Sequence, residues 1–201
     1  MILMKGIGEY KLIGETRDDA AGECFDKAAR ILGLGYPGGP AIAAQAKKNI
    51  AKKNIGVTYA SLPRPMMYTK DYDFSFSGLK TAVLYEFNKR SPKVRKSREY
   101  IRQMCKEIQQ SIIDVLIHKT LKAAKDFRAR SIILGGGVTA NQELRKQFEE
   151  RINKEIPDTK YLIPDTKYST DNAAMIALAA YFHKNKKADL RLIKVDANLK
   201  I

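Results

Sequence analysis

A long helical repeat between residues 94 and 127 constrains the fold of this chain more than any other feature. Apolar side chains recur there at every third or fourth position, and that spacing predicts a helix with one buried face. The stripe consists of Ile101, Met104, Cys105, Ile108, Ile112, Val115 and Leu116. We interpret it as core packing rather than as part of a cofactor-binding motif.

Short apolar segments on both sides of this helix are typical of strands. They are residues 2–5 and 10–14, which flank a glycine turn and predict a hairpin, and residues 131–134 and 161–163, which predict separate strands. Helical spacing is found again in residues 21–32, 78–89, about 140–151 and 175–182. Because strands and helices alternate, the sequence predicts an α/β fold.

Polar residues indicate where two of these helices begin. Thr16 is the expected cap of the first helix, with Asp18 and Asp19 in the first turn, where the helix dipole favours acidic side chains. Ser169 or Thr170 is the expected cap of the last helix.

The charge balance is strongly basic. Lysine and arginine number 37 against 22 acidic residues, which gives a formal net charge of +15. Such an excess favours a polyanionic partner, nucleic acid above all, although lysines spread over solvated helix faces give the same total. The densest stretch surrounds the start of the long helix, and its candidate phosphate contacts are Lys93, Arg95, Lys96 and Arg98. A second basic helix is predicted to carry Lys47, Lys48, Lys52 and Lys53.

Several classes of protein are disfavoured. Cys24 and Cys105 are far apart in sequence, so they support neither a disulfide framework nor a cysteine zinc site, and we expect both in the core. No apolar run approaches the roughly 18 residues of a membrane span. The N-terminus shows no secretory signal, so we expect a cytoplasmic protein.

Three motifs carry residue types suited to ligand binding, and each also has a purely structural interpretation. The strand–glycine–helix segment from Gly135 to Asn141 can bring backbone close to a ligand, although many such turns are glycine-rich for steric reasons. Asp171 precedes a helix and can face a cation, although an ordinary cap has the same sequence. Asp19, Glu23 and Asp26 share one helix face, which can simply be solvated.

The order of the motifs carries more information than any one of them. The segments GETRDDAAGECFDKAARILGLGYPGGP, DFSFSGLKTAV, GGGVTANQELR and STDNAAMIA follow one another along the chain. This arrangement closely resembles the TsaD family (Gcp, or glycoprotease-like), from about residue 2 to residue 201. The resemblance implies an RNase H-like lobe of the actin, sugar-kinase and chaperone-ATPase superfamily, with a ligand held between two lobes.

The resemblance also implies an activity and partners. The family transfers a threonylcarbamoyl group from threonylcarbamoyl-adenylate to the adenosine beside the anticodon, in tRNAs that read codons starting with A. TsaB-like and TsaE-like proteins assist it, and an iron or zinc ion lies at its site. The older peptidase interpretation lacks support, because the chain has no HExxH motif and no recognisable Ser/His/Asp set.

Four positions match residues with a role in the family. The resemblance implies that Asp26 contacts the ribose of the adenylate, that Gly39 and Asn141 lie against the same ligand, and that Asp171 binds the metal. It identifies no general base, and we assign no nucleophile to Cys24 or to any serine. The catalytic residues are therefore unknown at this level.

The chain also departs from the family pattern. Family members carry an N-terminal lobe with an HxxxH pair of metal ligands and an SGGH stretch that holds phosphate, whereas the only histidines here are His118 and His183. Ala43 stands where many relatives have an acidic residue. One aspartate cannot hold a transition metal, since such sites take three or four protein ligands.

We therefore expect residues 1–201 to be the C-terminal portion of a TsaD-like domain, without the metal-binding lobe. The missing lobe can be encoded separately, or the gene model can be truncated. The alternative function is a non-catalytic lobe or gene remnant that binds nucleotide, tRNA or a partner protein. An open sheet edge also predicts marginal stability or association.

Overall fold

Strands and helices alternate along the part of the chain that the structure describes, which is residues 1–48, 61–185 and 194–195 of a computed structural model. The strands are β1 (Ile2–Gly6), β2 (Glu9–Leu12), β3 (Ser131–Ile133) and β4 (Lys160–Leu162). The helices are α1 (Ala21–Ile31), α2 (Gly38–Ala46), α3 (Ser77–Lys89), α4 (Pro92–Arg95), α5 (Arg98–Asp126), α6 (Gln142–Glu155) and α7 (Ala173–Phe182). Short 3-10 turns lie at Gly137–Ala140 and Thr166–Tyr168. The predicted α/β class is confirmed.

Helix α5 is the long helix predicted from the apolar repeat, and it is shared by two hydrophobic cores. Around its first half pack α1, α2 and α3, with Phe25, Ile42 and Leu79 fully or almost fully buried. Its second half packs against α6 and the β3–β4 pair, where Phe148 and Ile152 are buried. The interpretation of the stripe as core packing is confirmed.

The described strands form two small two-stranded sheets. β1 and β2 pair antiparallel, with an irregularity between Met4 and Gly6 and a turn at Gly8, whose φ of 85° favours glycine. β3 and β4 pair parallel, with Ile132 opposite Tyr161, and α6 forms the connection between them. Ile132 alone of the β3 residues is buried.

Both predicted helix caps are wrong. Helix α1 begins at Ala21, and the Thr16 hydroxyl instead donates to the carbonyl oxygens of Asp18 and Asp19, at 3.3 and 3.0 Å. These bonds form a turn ahead of the helix, so Asp18 lies outside its first turn. The cap of α7 is Asn172, which accepts a hydrogen bond of 3.0 Å from the Met175 amide.

Asp18 caps a different helix. Its carboxylate accepts the amides of Phe76, at 2.9 Å, and Ser77, at 3.2 Å, at the start of α3. Partial burial opposes ionisation, but hydrogen bonds from the Ser75 and Ser77 hydroxyls and these two amides lower the pKa of Asp18 to about 2. The contact ties the segment before α1 to the start of α3.

A buried lysine anchors the segment before α3 to α5. The side chain of Lys119 is 0% exposed, and its ammonium donates to the Thr69 hydroxyl at 2.7 Å and to an Asp71 carboxylate oxygen at 3.1 Å. These hydrogen bonds compensate the cost of removing the ammonium from water. Asp71 also pairs with Arg17 at 3.1 Å, so one carboxylate links three segments.

The prediction of a basic helix is wrong for the described part of that segment. α2 ends at Ala46 and contains small and apolar residues but no lysine, and Lys47 is its C-cap. Lys52 and Lys53 lie outside the described residues. The segment folds this way because its small residues pack tightly against α1.

Helix α7 leaves its apolar side chains in solvent. None of its residues is buried, and Ile176, Leu178 and Tyr181 are 64%, 59% and 62% exposed. The β1–β2 hairpin likewise exposes a row of large apolar side chains, which are Ile2, Met4, Ile7, Tyr10 and Leu12. Such contiguous apolar surface indicates an interaction site. Among the described residues, no helix is both long enough and apolar enough to cross a bilayer.

Candidate functional site

A cavity of about 1070 Å³ lies between α1, α2, α5 and the start of α6. We call it the adenylate cavity, after the ligand that the family resemblance implies. Its wall includes Gly22, Phe25 and Asp26 of α1, Gly39 and Ala43 of α2, Lys106, Gln109 and Gln110 of α5, and Gly137, Val138 and Asn141 from the glycine turn. Three predicted site residues, from three separate segments, therefore meet here: Asp26, Gly39 and Asn141.

Asp26 is oriented by the turn that leads into α2. Its Oδ1 accepts a hydrogen bond of 2.7 Å from the Gly38 amide. A side chain at Gly38 would collide with its surroundings, because a Cβ there would lie 2.6 Å from the Asp26 Cα and 2.7 Å from the Phe25 carbonyl oxygen. Only glycine therefore brings this amide so close to α1. One carboxylate oxygen of Asp26 keeps its acceptor capacity for a ligand.

Gly39 has a different role from its neighbour. A Cβ at Gly39 would meet only the Phe25 side chain, at 4.0 Å, which is ordinary contact. Since Gly39 lines the cavity, its missing side chain leaves space for a ligand rather than for the protein. The sequence comparison singled out Gly39 and missed Gly38, although the paired glycines after Pro37 are the signal that marks both.

Asn141 caps α6 as well as lining the cavity. Its Oδ1 accepts the amides of Glu143 and Leu144, at 2.9 and 3.1 Å, and its Nδ2 donates to Gln109 Oε1 at 2.8 Å. The side-chain amide carries two N–H groups, so one remains for a ligand. The structural and functional interpretations of this residue are therefore compatible. Gly136, with a φ of 87° and a ψ of 162°, adopts ahead of it a backbone conformation that is essentially restricted to glycine.

Asp171 lies beside the cavity but does not line it. The residue before it, Thr170, belongs to the wall, whereas Asp171 itself is exposed. No group of three or more histidine, cysteine, aspartate or glutamate side chains suited to a metal occurs in the described part of the chain. His118 packs edge-on against Tyr68, and His183 lies against Gly8 of the hairpin. These donors do not make up an iron or zinc site.

Lys27 pairs with two of the three carboxylates predicted to share a helix face, and one of these, Asp19, lies ahead of α1. Lys27 Nζ lies 2.6 Å from Asp19 and 2.9 Å from Glu23, and the hydrogen bond from Lys27 to Asp19 is the main cause that raises the pKa of Lys27. Of the three predicted carboxylates, Asp26 alone lines the cavity. The face is therefore mostly structural.

Positive charge borders the cavity from two directions. Lys106 of α5 and Lys47 at the end of α2 both line it, and Lys47 donates to the Gln142 side chain. Lys106 is exposed. Both lysines belong to basic stretches of the sequence, but the sequence did not place them beside Asp26, Gly39 and Asn141, because their positions depend on how α2 and α6 pack against α5.

The predicted phosphate contacts do not reach this cavity. Arg95 and Lys96 line a second groove, and Lys93 and Arg98 are exposed nearby in the sequence. Arg95 is partly committed to structure, since it donates to the carbonyl oxygens of Arg90 and Asn88, at 2.7 and 2.6 Å.

The two cysteines are core residues, as predicted. Cys24 and Cys105 are both 0% exposed. Burial raises the pKa of each thiol to about 12, so neither forms a thiolate at neutral pH.

The family model and the curated relatives that match this chain agree on one family. The family model TsaD, described as tRNA N6-adenosine threonylcarbamoyltransferase, matches residues 1–178. A protein of that name from Geobacillus kaustophilus (strain HTA426) is 46% identical over 194 residues, which are 96% of this chain and 54% of the relative. One from Thermosipho africanus (strain TCF52B) is 45% identical over 203 residues, covering 100% of this chain and 58% of the relative.

A third relative, from Syntrophomonas wolfei subsp. wolfei (strain DSM 2245B / Goettingen), is 43% identical over 188 residues, which are 94% of this chain and 52% of the relative. The chain thus spans about half the length of the curated relatives it matches. Since the family model covers most of the chain, and the matches agree in name, the chain belongs to the TsaD family of tRNA N6-adenosine threonylcarbamoyltransferases.

Proposed function

We propose that residues 1–201 are the C-terminal portion of a transferase that makes threonylcarbamoyladenosine in tRNA. In this proposal the adenylate cavity holds threonylcarbamoyl-adenylate. The observation that supports it is the convergence of Asp26, Gly39 and Asn141 on one cavity from separate segments. A volume of about 1070 Å³ accommodates a nucleotide-sized ligand.

The wall of the cavity matches the chemistry of an adenylate. The remaining oxygen of Asp26 can accept a ribose hydroxyl, and the remaining N–H of Asn141 can donate to the ligand. Gly39 allows close approach because it has no side chain. Lys106 and Lys47 supply positive charge beside a phosphate.

The transfer step is an acyl-type substitution. The exocyclic amine of the tRNA adenosine forms a C–N bond with the carbamoyl carbon, the bond from that carbon to the phosphate oxygen breaks, and AMP leaves. The amine loses one proton in the process. The contribution that the described residues can make is to position the adenylate, and no described residue is assigned as the base.

The iron or zinc ion implied by the family is not accommodated by the described donors. Asp171 would supply one ligand, and the others would have to come from outside the described residues. In a complete protein, Asp171 would be well placed beside the cavity because it follows Thr170 of the wall.

The proposal extends to architecture and partners. The fold is an RNase H-like lobe of the actin, sugar-kinase and chaperone-ATPase superfamily. The exposed apolar faces of α7 and of the hairpin would pack against the part of the relatives' length that this chain does not cover, whether on the same polypeptide or on a separately encoded lobe. TsaB-like and TsaE-like proteins, and tRNA itself, are the further partners.

A second function is a non-catalytic lobe that binds nucleotide, tRNA or a partner. The single candidate metal ligand among the described residues favours it for this chain in isolation. Under both functions we expect the purified 201-residue chain not to modify tRNA when given threonylcarbamoyl-adenylate. Modification by the pure chain would exclude the non-catalytic function.

Calorimetric titration of AMP into the 201-residue chain tests the cavity. We expect binding that Asp26→Asn weakens about tenfold, since a hydrogen bond to a charged group contributes about 1.5–3 kcal/mol. Asp158→Asn is the matched control, because Asp158 is exposed and lies outside the cavity. Absence of AMP binding, or equal weakening by both variants, would contradict the proposal.

A further inference from the structure

A second groove, of about 610 Å³, lies where the end of α1 meets α3, α4 and the start of α5. We call it the α1–α4 groove. Its apolar floor is formed by Ile31, Leu34, Phe87 and Ile101. Arg30, Arg95 and Lys96 also line it and supply its positive charge. The groove shares no lining residue with the adenylate cavity.

Contacts within the protein fix the position of one arginine side chain in this groove. The guanidinium carbon of Arg95 lies 5.2 Å from the centre of the Phe87 ring. Two of the five N–H donors of Arg95 are used by the carbonyl oxygens of Asn88 and Arg90, which fix the group in place and leave three donors. Aromatic rings and guanidinium planes are the surfaces on which unpaired bases stack.

The surroundings of the groove are unusually basic. Lys93, Lys96 and Arg98 are exposed on and beside α4, and Glu99 is the single acidic residue between positions 89 and 106. Within the described ranges, no ion pair joins Lys93, Lys96 or Arg98 to a carboxylate. The charge is therefore available to a polyanion.

The α1–α4 groove is close to the adenylate cavity. Asp26 lines the cavity and Arg30 lines the groove. Four residues apart on α1, they share one side of the helix and are separated by about 6 Å along its axis. An RNA strand whose adenosine reaches the cavity therefore has nearby nucleotides within range of the groove.

We propose that the α1–α4 groove binds one unpaired nucleotide of the tRNA, near the adenosine that is modified. Its base lies on the apolar floor beside Phe87, and its phosphate contacts Lys96, Arg30 or the free donors of Arg95. This inference rests on the proposed tRNA substrate and adds a recognition site outside the adenylate cavity. The apolar floor favours a base over a purely electrostatic backbone contact.

The test compares two RNA probes bound to the 201-residue chain, measured by fluorescence anisotropy at several salt concentrations. One probe is a hairpin with an unpaired loop, and the other is a duplex with the same number of phosphates. We expect tighter binding of the hairpin. Lys96→Gln should weaken hairpin binding several-fold and reduce the slope of log affinity against log salt by about 1.

Two variants separate the base contact from charge alone. Phe87→Leu removes the aromatic ring beside which the base lies and should weaken hairpin binding about tenfold, within the range contributed by stacking one base, while duplex binding stays unchanged. Lys146→Gln is the control for lost charge, because Lys146 is 67% exposed on α6 and lines neither cavity nor groove. It should leave the preference for the hairpin intact.

A crosslinking measurement does not depend on the folding of any variant. A 4-thiouridine in the hairpin loop should crosslink to peptides containing residues 30–34 or 87–101. Crosslinks found only elsewhere would overturn the proposal, as would equal affinity for hairpin and duplex. Displacement of the hairpin by polyglutamate as effectively as by unlabelled hairpin would instead indicate an acidic protein partner. If these tests fail while AMP still binds and Asp26→Asn still weakens that binding, the proposed function stands and only the proposed nucleotide site is wrong.

Discussion

Substitution of Gly38 by alanine tests how the adenylate cavity is built. A Cβ at this position would lie 2.6 Å from the Asp26 Cα, 2.7 Å from the Phe25 carbonyl oxygen and 2.9 Å from the Ala29 Cβ. Ordinary carbon contacts are about 3.5–4.0 Å, so α2 would have to move by roughly 1 Å relative to α1. That movement would also lengthen the 2.7 Å hydrogen bond from the Gly38 amide to Asp26.

Overpacking of a core costs about 1–3 kcal/mol, and weakening a hydrogen bond to a carboxylate adds to this. We therefore expect Gly38→Ala to lower the free energy of unfolding by about 2–4 kcal/mol, a large part of the roughly 5–15 kcal/mol of a typical domain. Urea titration followed by circular dichroism measures the change, and AMP titration measures the effect on the cavity.

Gly39→Ala is the matched control because it makes the same chemical change one residue later. A Cβ there meets only the Phe25 side chain at 4.0 Å, so the fold should keep its stability or gain up to about 1 kcal/mol. The added methyl group enters the cavity and should weaken AMP binding. Equal stability of Gly38→Ala and the unsubstituted chain, or equal losses for both variants, would refute the reasoning.

Three further predictions concern buried or capping groups. Asp18→Ala removes the cap of α3 and should lower the free energy of unfolding by about 1 kcal/mol. Because the pKa of Asp18 is about 2 in the folded protein against an ordinary value of 3.8, this stabilisation is present at neutral pH and is lost as pH falls from about 4 towards 2. Acid titration of the variant and the unsubstituted protein measures the loss. Asp71→Ala should lower the thermal midpoint more than Lys119→Met, because it leaves the buried ammonium with fewer partners while the methionine removes the charge; the reverse order would contradict this account. The native protein should react slowly with a thiol reagent at pH 8, because Cys24 and Cys105 are buried and each thiol has a pKa of about 12. In urea both thiols should react. Fast labelling of the native chain would contradict this prediction.

Local periodicity was enough to predict the long helix, the hairpin and the β3–α6–β4 unit. In each case the signal lies within one segment, such as the apolar stripe of α5. The predictions of the helix caps were wrong because such contacts can join residues that are distant in sequence. Asp18 has the residue type of a first-turn aspartate, yet its partners are the amides of Phe76 and Ser77, which are far away in sequence. No local pattern reveals such a contact.

The candidate site shows the same division. The family resemblance identifies Asp26, Gly39 and Asn141, and the structure brings them together at one cavity. Gly38 and Gln109 were not predicted, because their importance depends on the packing of α1 against α2 and on the placement of α5. An apolar segment such as α7 would be expected inside a core, and it lies exposed because none of the described residues covers it.

The placement of α5 determines how the chain can come apart. At 29 residues it is about 43 Å long, and opposite ends of the same rod complete two hydrophobic cores. Neither core can unfold alone without exposing to solvent the half of α5 that it buries. Slowly exchanging backbone amides should therefore cluster along the middle of α5 and disappear together, in a single cooperative event. A cut in the first half of α5 would deprive the core formed with α1, α2 and α3 of part of its helix, and a cut in the second half would do the same to the core formed with α6.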